Sequence, residues 1–462
     1  MSNEHQSWGR FPRVARQTAH SILWQTQALP TASGSLLPHG LGRSYGDSCL
    51  NEGGTLLTTL TLDKLLGFDA ATGVVRCEAG VSLDTLLRLG VPRGWFLPVT
   101  PGTKFVTVGG AIANDVHGKN HHRAGTFGRY VHRFELLRSD GTRRVCSPEE
   151  NRDWYEATIG GLGLTGLILW ADVQLRPICN PFVLKETVPL ENLDAFFTVS
   201  GESEQDYEFT VAWLDSLARG RKLGQGLFFR GNFAPPQLER LPQQTSHLNR
   251  EPWLSVPFTL PGFTLNRLSV AAFNWLYGWV NRLTKGLRLQ HYDPFFYPLD
   301  SVLRWNRIYG PQGFFQFQCV LPFDTARDAL REILERSQRE VPCFLNVIKT
   351  FGNVSSPGWL SFPRPGVTLA LDFANKGERT LRLMSELDNL TRQAGGAVYP
   401  AKDARMSAEN FAAYYPQLER FKAFVDPAFS SSFWRRVTEK SPGVSPRPGT
   451  SLPLGSMPVS RS

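Results

Sequence analysis

The chain has 462 residues, which at roughly 100 to 200 residues per domain gives two or three domains with their own cores and excludes a single small module. Hydrophobic residues make up 41% and charged residues 20%, with 31 Phe and 12 Trp, so a disordered protein is excluded as well. Basic residues exceed acidic ones by 50 − 41 = 9, a surplus that favours anionic ligands or a lipid surface and does not require nucleic acid.

Residues Met1 to Arg16 are polar, carry Glu4, Arg10, Arg13 and Arg16, and contain no apolar run of the kind a secretory signal needs. Cys49, Cys77, Cys146, Cys179, Cys319 and Cys343 are scattered without a Cys-x-x-Cys pair, so neither a metal site nor a disulfide framework is expected and a reducing compartment fits. A cytoplasmic location is the expectation, with a peripheral position at the inner membrane as its variant.

The first 180 residues read as short strands separated by turn residues: Thr55 to Thr61, Gly73 to Cys77, Phe134 to Leu137 and Leu167 to Leu175, with a helix over Asn151 to Thr158. Leu268 to Asn281 is uncharged over fourteen residues and bounded by Arg267 and Arg282. That is short of the ~20 residues a spanning helix needs, so it predicts a core or interfacial helix, with Trp275, Tyr277 and Trp279 as the interfacial candidates. Ala326, Ala329, Leu330, Ile333 and Leu334 have amphipathic helical spacing behind Asp324 or Thr325 as N-cap; Leu383, Leu387, Leu390 and Ala394 make a second helix stopped by Gly395 and Gly396. Strand-like runs at Phe315 to Val320 and Val367 to Phe373 each precede one of these helices, giving a second α+β unit. Residues 441–462 are dominated by Pro, Gly and Ser and predict a disordered tail.

Two glycine-rich segments carry the chemistry, Pro38 to Ser48 (PHGLGRSYGDS) and Pro101 to His122 (PGTKFVTVGGAIANDVHGKNHH). Their glycines let the backbone turn sharply and approach a ligand, and free N–H groups in such turns hold a diphosphate. GLGLTG, from Gly161 to Gly166, matches the dinucleotide pattern literally, but a helix precedes it and a strand follows, the reverse of what a Rossmann NAD site requires. In an extended run alternate residues share a face, so Gln316 and Gln318 point one way, as do Thr368, Ala370 and Asp372 on the other run. Two amides on one face suit sugar hydroxyls; a carboxylate in an apolar strand needs a partner, for which Lys349 and Lys402 are the candidates.

The ordered set GLGRSYGD, PGTxxVTVGGAIAxDxHGKNHH and GGLGLTG resembles the FAD domain of the vanillyl-alcohol oxidase and p-cresol methylhydroxylase flavoprotein superfamily, and within it the branch that oxidises polyprenylphosphoryl ribose. The resemblance runs from about Gly40 to Glu439. It implies an α+β, two-domain PCMH-type fold: an FAD-binding domain from residues 1–181 and 397–440, with an inserted α+β substrate domain at 182–396. Gly40, Gly42, Arg43, Ser44, Tyr45, Gly46 and Asp47, with Gly102, Thr107, Val108, Gly109 and Gly110, would wrap the FAD diphosphate. Asn114, Asp115, His117, Gly118, Ile168 and Tyr399 would complete the flavin pocket. Relatives with covalent FAD attach it to a His in the first glycine loop, where this chain carries Arg43, so non-covalent FAD is expected. His39 stands where the branch has Arg.

The resemblance places Tyr45, Tyr297, Gln316, Gln318, Lys349, Thr368 and Asp372 around the substrate. Lys402 would supply positive charge and His117 would orient or deprotonate the hydroxyl, while Lys349 favours a substrate phosphate. Ala370 stands where the branch has Cys, and Thr368 where it has Asn. The implied activity is 2′-oxidation of a polyprenylphosphoryl ribose to the keto sugar. In the branch a short-chain reductase then acts on the product, giving net epimerisation to arabinose for cell-wall arabinan. Quinone or another carrier is as suitable an electron acceptor as O2. Two alternatives stay open on the residues alone: an aldonolactone or alditol oxidase with a soluble substrate, and a non-catalytic lipid- or nucleic-acid-binding protein.

Overall fold

The computed structural model describes residues 5–236, 254–283, 286–340 and 343–439. An antiparallel five-stranded sheet runs in the order Leu65–Asp69, Val74–Glu78, Leu167–Gln174, Val131–Leu137, Arg143–Cys146. Its alternate residues Val75, Cys77, Phe134, Leu136, Ala171 and Val173 share a core with Leu83, Leu86 and Leu87 of the helix Leu83–Gly90 and with Ala111 and Ile112 of Val108–Ala113. Ser82 caps the first of these helices by accepting from Thr85 N–H at 3.1 Å. A small parallel sheet of Thr18–Ser21, Thr55–Thr58 and Leu36–His39 launches the first glycine loop from the end of its last strand. The strand expected to reach Thr61 stops at Thr58 because Leu62 N–H donates to Thr59 O and closes a turn.

The second sheet has eight antiparallel strands in the order Gly286–His291, Phe182–Leu190, Gly226–Phe233, Phe209–Leu214, Cys343–Phe351, Gly366–Ala374, Phe314–Leu321, Ala397–Val398. Helices Leu193–Ser203, Phe323–Glu340 and Glu378–Gln393 cover one face, where Phe196, Leu330, Ile333, Leu383 and Leu387 meet Phe315, Phe317, Cys319, Leu369, Leu371 and Phe373. The helix Phe323–Glu340 starts before the expected caps Asp324 and Thr325: the N–H groups of Thr325 and Ala326 both donate to Pro322 O, which sets the first turn. Helices and antiparallel strands are thus segregated, an α+β arrangement.

The chain after 397 touches both bodies. Ala397–Val398 is an edge strand of the large sheet, and Phe411, Tyr415 and Phe433 lie in that sheet's core. Arg436, near the end of the helix Ser432–Thr438, forks onto Asp47 at 2.7 and 2.9 Å and onto Asp403 at 2.9 Å, fastening this segment to the first glycine loop. The expected tail at 441–462 lies outside the described residues.

Candidate active site

A cavity of about 610 Å³ lies between the glycine loops and the uncovered face of the eight-stranded sheet, within the ~300–1,000 Å³ usual for cofactor and ligand sites. Its cofactor-side wall is backbone-rich: Gly40, Gly42, Gly102, Gly109, Gly110, Gly163 and Gly166 all line it. Gly42 is left-handed (φ 61°), and any side chain at Gly40 would collide with Thr107 of the second loop, which is why the two loops can meet there. Thr107 caps the short helix Val108–Ala113 by accepting from Gly110 N–H at 3.1 Å. Arg43 donates from Nε to Phe105 O at 3.0 Å, which holds the first loop against the second, and its guanidinium lies 4.2 Å from the centroid of Trp8 in a cation–π contact. Ser48 Oγ faces this region, buried and, among the described residues, without a hydrogen-bond partner. An orphaned hydroxyl on a glycine-walled, anion-compatible surface fits a phosphate-bearing nucleotide such as FAD.

The opposite wall follows from strand alternation. With Phe315, Phe317, Leu369, Leu371 and Phe373 committed to the helical face, Gln316, Gln318, Thr368 and Ala370 are turned to the cavity, with Val347 and Lys349 beside them on the neighbouring strand. Gln316 Nε2 donates to Asp372 at 2.6 Å and Tyr309 Oη donates to the same carboxylate at 3.2 Å. The partners of Asp372 are therefore Gln316 and Tyr309 rather than a direct bond to Lys349 or Lys402. Burial raises the Asp372 pKa, and the nearby Lys402 charge works against that rise.

Lys402 sits at the end of the turn Pro400–Lys402, its Nζ 3.6 Å from the centroid of Tyr45. Burial holds its pKa below the ordinary lysine range, opposed by Asp372. Among the described residues its amine has no hydrogen bond to protein, so its lone pair or protons are available to a ligand.

His117 is differently placed. Its Nε2 lies 3.1 Å from the Gln318 amide nitrogen and its Nδ1 lies 3.1 Å from Lys349 Nζ, which also donates to Gly118 O at 3.4 Å. A neutral imidazole carries one N–H, so one neighbour must donate and the other accept. Burial lowers Lys349 to about 7, and a neutral Lys349 amine can accept from Nδ1–H while Gln318 donates to Nε2. Burial keeps His117 itself well below the usual imidazole range. With both nitrogens engaged by protein, His117 positions the site and has no nitrogen left to take a substrate proton.

Most residues expected at the site line the cavity: Gly40, Gly42, Arg43, Ser44, Tyr45, Gly102, Thr107, Gly109, Gly110, Asn114, His117, Ile168, Gln316, Gln318, Lys349, Thr368, Tyr399 and Lys402. Others stand behind its wall, each spent on structure. A side chain at Gly46 would collide with Asp403 O, Asp47 is held by Arg436, and Val108 is fully buried. Asp115 accepts from Gly128 N–H at 2.9 Å and from Ser356 and Ser361 at 2.5 Å each, which makes it a loop organiser with its pKa raised by burial. Gly118 packs on Thr100 O, and Tyr297 is buried with its hydroxyl 2.6 Å from Thr100 Oγ1. His39 does line the cavity, hydrogen-bonded at Nδ1 to Cys49 O at 3.1 Å and lowered by burial to about 4.

Sequence reasoning missed Trp8, Thr103, Phe105, Leu299, Asp300 and Val302 to Trp305, all on the wall. The GLGLTG loop, rejected as a Rossmann NAD site yet part of the flavoprotein resemblance, lines the cavity through Leu162, Gly163 and Gly166 next to Ile168, in the helix-then-strand context expected of it. The positive φ at Leu162, Gly163 and Gly166 marks it as a built turn.

Residues 27–147 match the FAD binding domain family. Over 451 residues the chain is 36% identical to the decaprenylphosphoryl-β-D-ribose oxidase of Mycolicibacterium smegmatis, covering 93% of this chain and 96% of that one. It is 34% identical over 372 residues to a Streptomyces coelicolor protein of uncharacterised function, 77% of this chain and 100% of that one. A shorter match, 29% identity over 161 residues and 31% of the relative, joins it to the Δ24-sterol reductase of Homo sapiens. With identity sustained across nearly the whole of both chains and a cavity walled for a nucleotide, the chain belongs to the decaprenylphosphoryl-β-D-ribose oxidase family and is an FAD-dependent oxidoreductase acting on CH–OH groups.

Proposed function

We propose that the protein oxidises the 2′-hydroxyl of a polyprenylphosphoryl ribose to the ketone, with FAD bound without a covalent link. The observation that carries this reading is the cavity itself, in which a glycine-walled nucleotide site faces a strand surface of amides and amines suited to a sugar. The division of labour follows the chain: residues 1–181 with 397–440 hold the cofactor, and the inserted 182–396 unit supplies the sugar-facing strands.

When bound, FAD supplies the acceptor for the hydride that leaves the carbinol carbon. The chain's own residues do the rest. Gln316 and Thr368 hold sugar hydroxyls, and Gln318, fixed between Thr368 and His117, keeps that face in register. Lys402, as the neutral amine that burial favours, accepts the hydroxyl proton; the ammonium so formed supplies positive charge where negative charge develops. Asp372 keeps the proton on Lys402 once it has arrived, while Gln316 and Tyr309 hold Asp372 in place. The polyprenyl chain has to leave through the open mouth, so the phosphate lies on that side of the sugar. There Arg304, exposed and lining the cavity, meets it, rather than Lys349, whose Nζ is spent on His117 and Gly118. A short-chain reductase then consumes the keto product, and a quinone or comparable carrier reoxidises the enzyme.

The test is anaerobic bleaching of the flavin absorbance. A polyprenylphosphoryl ribose should bleach it, and free aldonolactones and polyols should not; bleaching by the soluble compounds alone would replace this reading with the soluble-sugar one.

A further inference from the structure

Resting on the reading above that the substrate is lipid-linked, we propose that the helix Arg267–Leu283, with the segment 254–263 before it, is a docking surface for an anionic lipid bilayer that holds the cavity mouth at the membrane. The helix has two unlike sides. Its inner side is anchored: Val270 and Asn274 are buried, Asn274 Nδ2 donates to Asp215 Oδ1 at 2.7 Å, and Tyr277 packs on Trp213 at 4.9 Å between ring centroids. Its outer side carries Leu268, Trp275, Leu276, Trp279 and Val280, which are 83%, 69%, 52%, 51% and 45% exposed. The Trp275 and Trp279 rings lie parallel, 6.0 Å apart. Phe258 and Phe263 extend the patch with 63% and 76% exposure. A water-facing surface rarely gathers apolar side chains of this size. No described helix is long and apolar enough to cross a membrane.

Charge decides the occupant. From residue 252 to 292 the sequence contains Arg267, Arg282, Lys285 and Arg288 and no Asp or Glu. An apolar face with tryptophans, in a stretch of sequence whose charged residues are all cationic, matches the boundary between acyl chains and anionic headgroups. A second copy of the chain would bring cations against cations across a two-fold axis, with no carboxylate in this stretch to answer them.

The patch is continuous with the site. Leu254 pairs with Val302 and Ser255 with Leu303, and Val302, Leu303 and Arg304 line the cavity, so one strand pair forms the cavity wall and also exposes Leu254 and Leu303. Behind the helix, Phe273 packs on Phe344 at 4.7 Å and Phe344 on Tyr309 at 6.1 Å, and Tyr309 bonds Asp372. A lipid-linked sugar phosphate could therefore pass from the headgroup layer to the strand face with its polyprenyl chain still in the bilayer.

The experiment is flotation of the full-length FAD-loaded protein with vesicles of phosphatidylcholine alone and with added phosphatidylglycerol, without substrate. The expected result is co-flotation with the anionic vesicles and a blue shift of tryptophan emission. The W275S/W279S variant should bind them at least about tenfold more weakly, yet keep its flavin absorbance and its turnover of a short-chain, water-soluble polyprenylphosphoryl ribose analogue. Leu268→Glu, at an almost fully exposed position, reads the same loss should the double variant fail to fold. Equal flotation of parent and both variants, no flotation of the parent, or a fall in solution mass from dimer to monomer in the variants without vesicles would each overturn the proposal. Because binding is read without substrate, flotation without flavin bleaching would instead fault the assigned reaction.

Discussion

Replacing Lys402 by Met and by Arg separates proton acceptance from charge alone. If the Lys402 amine takes the hydroxyl proton, removing it costs a general base, about 10²- to 10⁴-fold in rate. At 1.36 kcal/mol per decade that is roughly 3–5 kcal/mol of barrier. Arg should restore little of it, because a guanidinium keeps its charge but cannot be deprotonated at accessible pH. The structure makes the difference legible because, among the described residues, Lys402 Nζ has no protein hydrogen bond to lose; it has the Tyr45 ring at 3.6 Å and the nearby Asp372 charge. The assay is the anaerobic rate of flavin bleaching in a stopped-flow mixer, with bound FAD measured in parallel. The sign with pH follows: the protonated amine is the inactive form, so kcat/KM rises with pH to a plateau, and burial places that rise below the ordinary lysine range. The Met variant should lose the rise. A Lys402→Arg enzyme with near-parental bleaching, or a Met enzyme within a few-fold of the parent, would refute proton acceptance by this group.

Lys349 titrates near 7 in the folded protein against 10.5 for an exposed lysine, so between those values the unfolded chain holds a proton that the folded one does not, and this group's contribution to stability rises with pH. The melting temperature of Lys349→Met relative to the parent should therefore be more favourable at pH 6 than at pH 9, read by calorimetry; a difference of opposite sign would count against a neutral Lys349. Arg436→Met leaves Asp47 and Asp403 facing each other in the interior, with side-chain exposures of 4% and 1%. It should cost about 3–5 kcal/mol in denaturant titration and weaken FAD retention through the first glycine loop. Ala370 faces the cavity where the family branch has a thiol, and Cys49, the cysteine on this wall, is pushed up to about 12 by burial. An active-site-directed thiol reagent should spare the cavity of the parent and label Ala370→Cys at that position, checked by peptide mapping because Cys179 is exposed.

Strand alternation made half of the site legible before any coordinates. Once Phe315, Phe317, Leu369 and Leu371 are assigned to a helix-covered face, Gln316, Gln318, Thr368 and Asp372 must lie on the other, and the ladder indeed sets Gln316 opposite Asp372 and Gln318 opposite Ala370. The glycine loops were legible for a related reason: a position that tolerates no side chain, such as Gly40 against Thr107, leaves glycine as its mark. What that mark does not say is which neighbour requires it. Gly46 and Gly118 sit in the same motifs as the cavity glycines, yet they are small because Asp403 O and Thr100 O pack against them from behind the wall.

The mouth was illegible because its logic is pairwise between distant segments. Leu299 to Trp305 has neither glycine punctuation nor periodicity, and it becomes part of the site only because Asp300 accepts from Lys104 N–H at 2.9 Å, pinning it to the second glycine loop, and because Leu254 and Ser255 pair with Val302 and Leu303. Asp300 is raised to about 6, chiefly by burial, against the pull of Thr103 and the Lys104 backbone. A carboxylate that burial makes easier to protonate, holding the mouth to a cofactor loop, ties the order of the entrance to the order of the nucleotide site. Asp300 thus joins the entrance segment to the second glycine loop through the Lys104 N–H and Thr103, while the substrate face is held by its own sheet and helices.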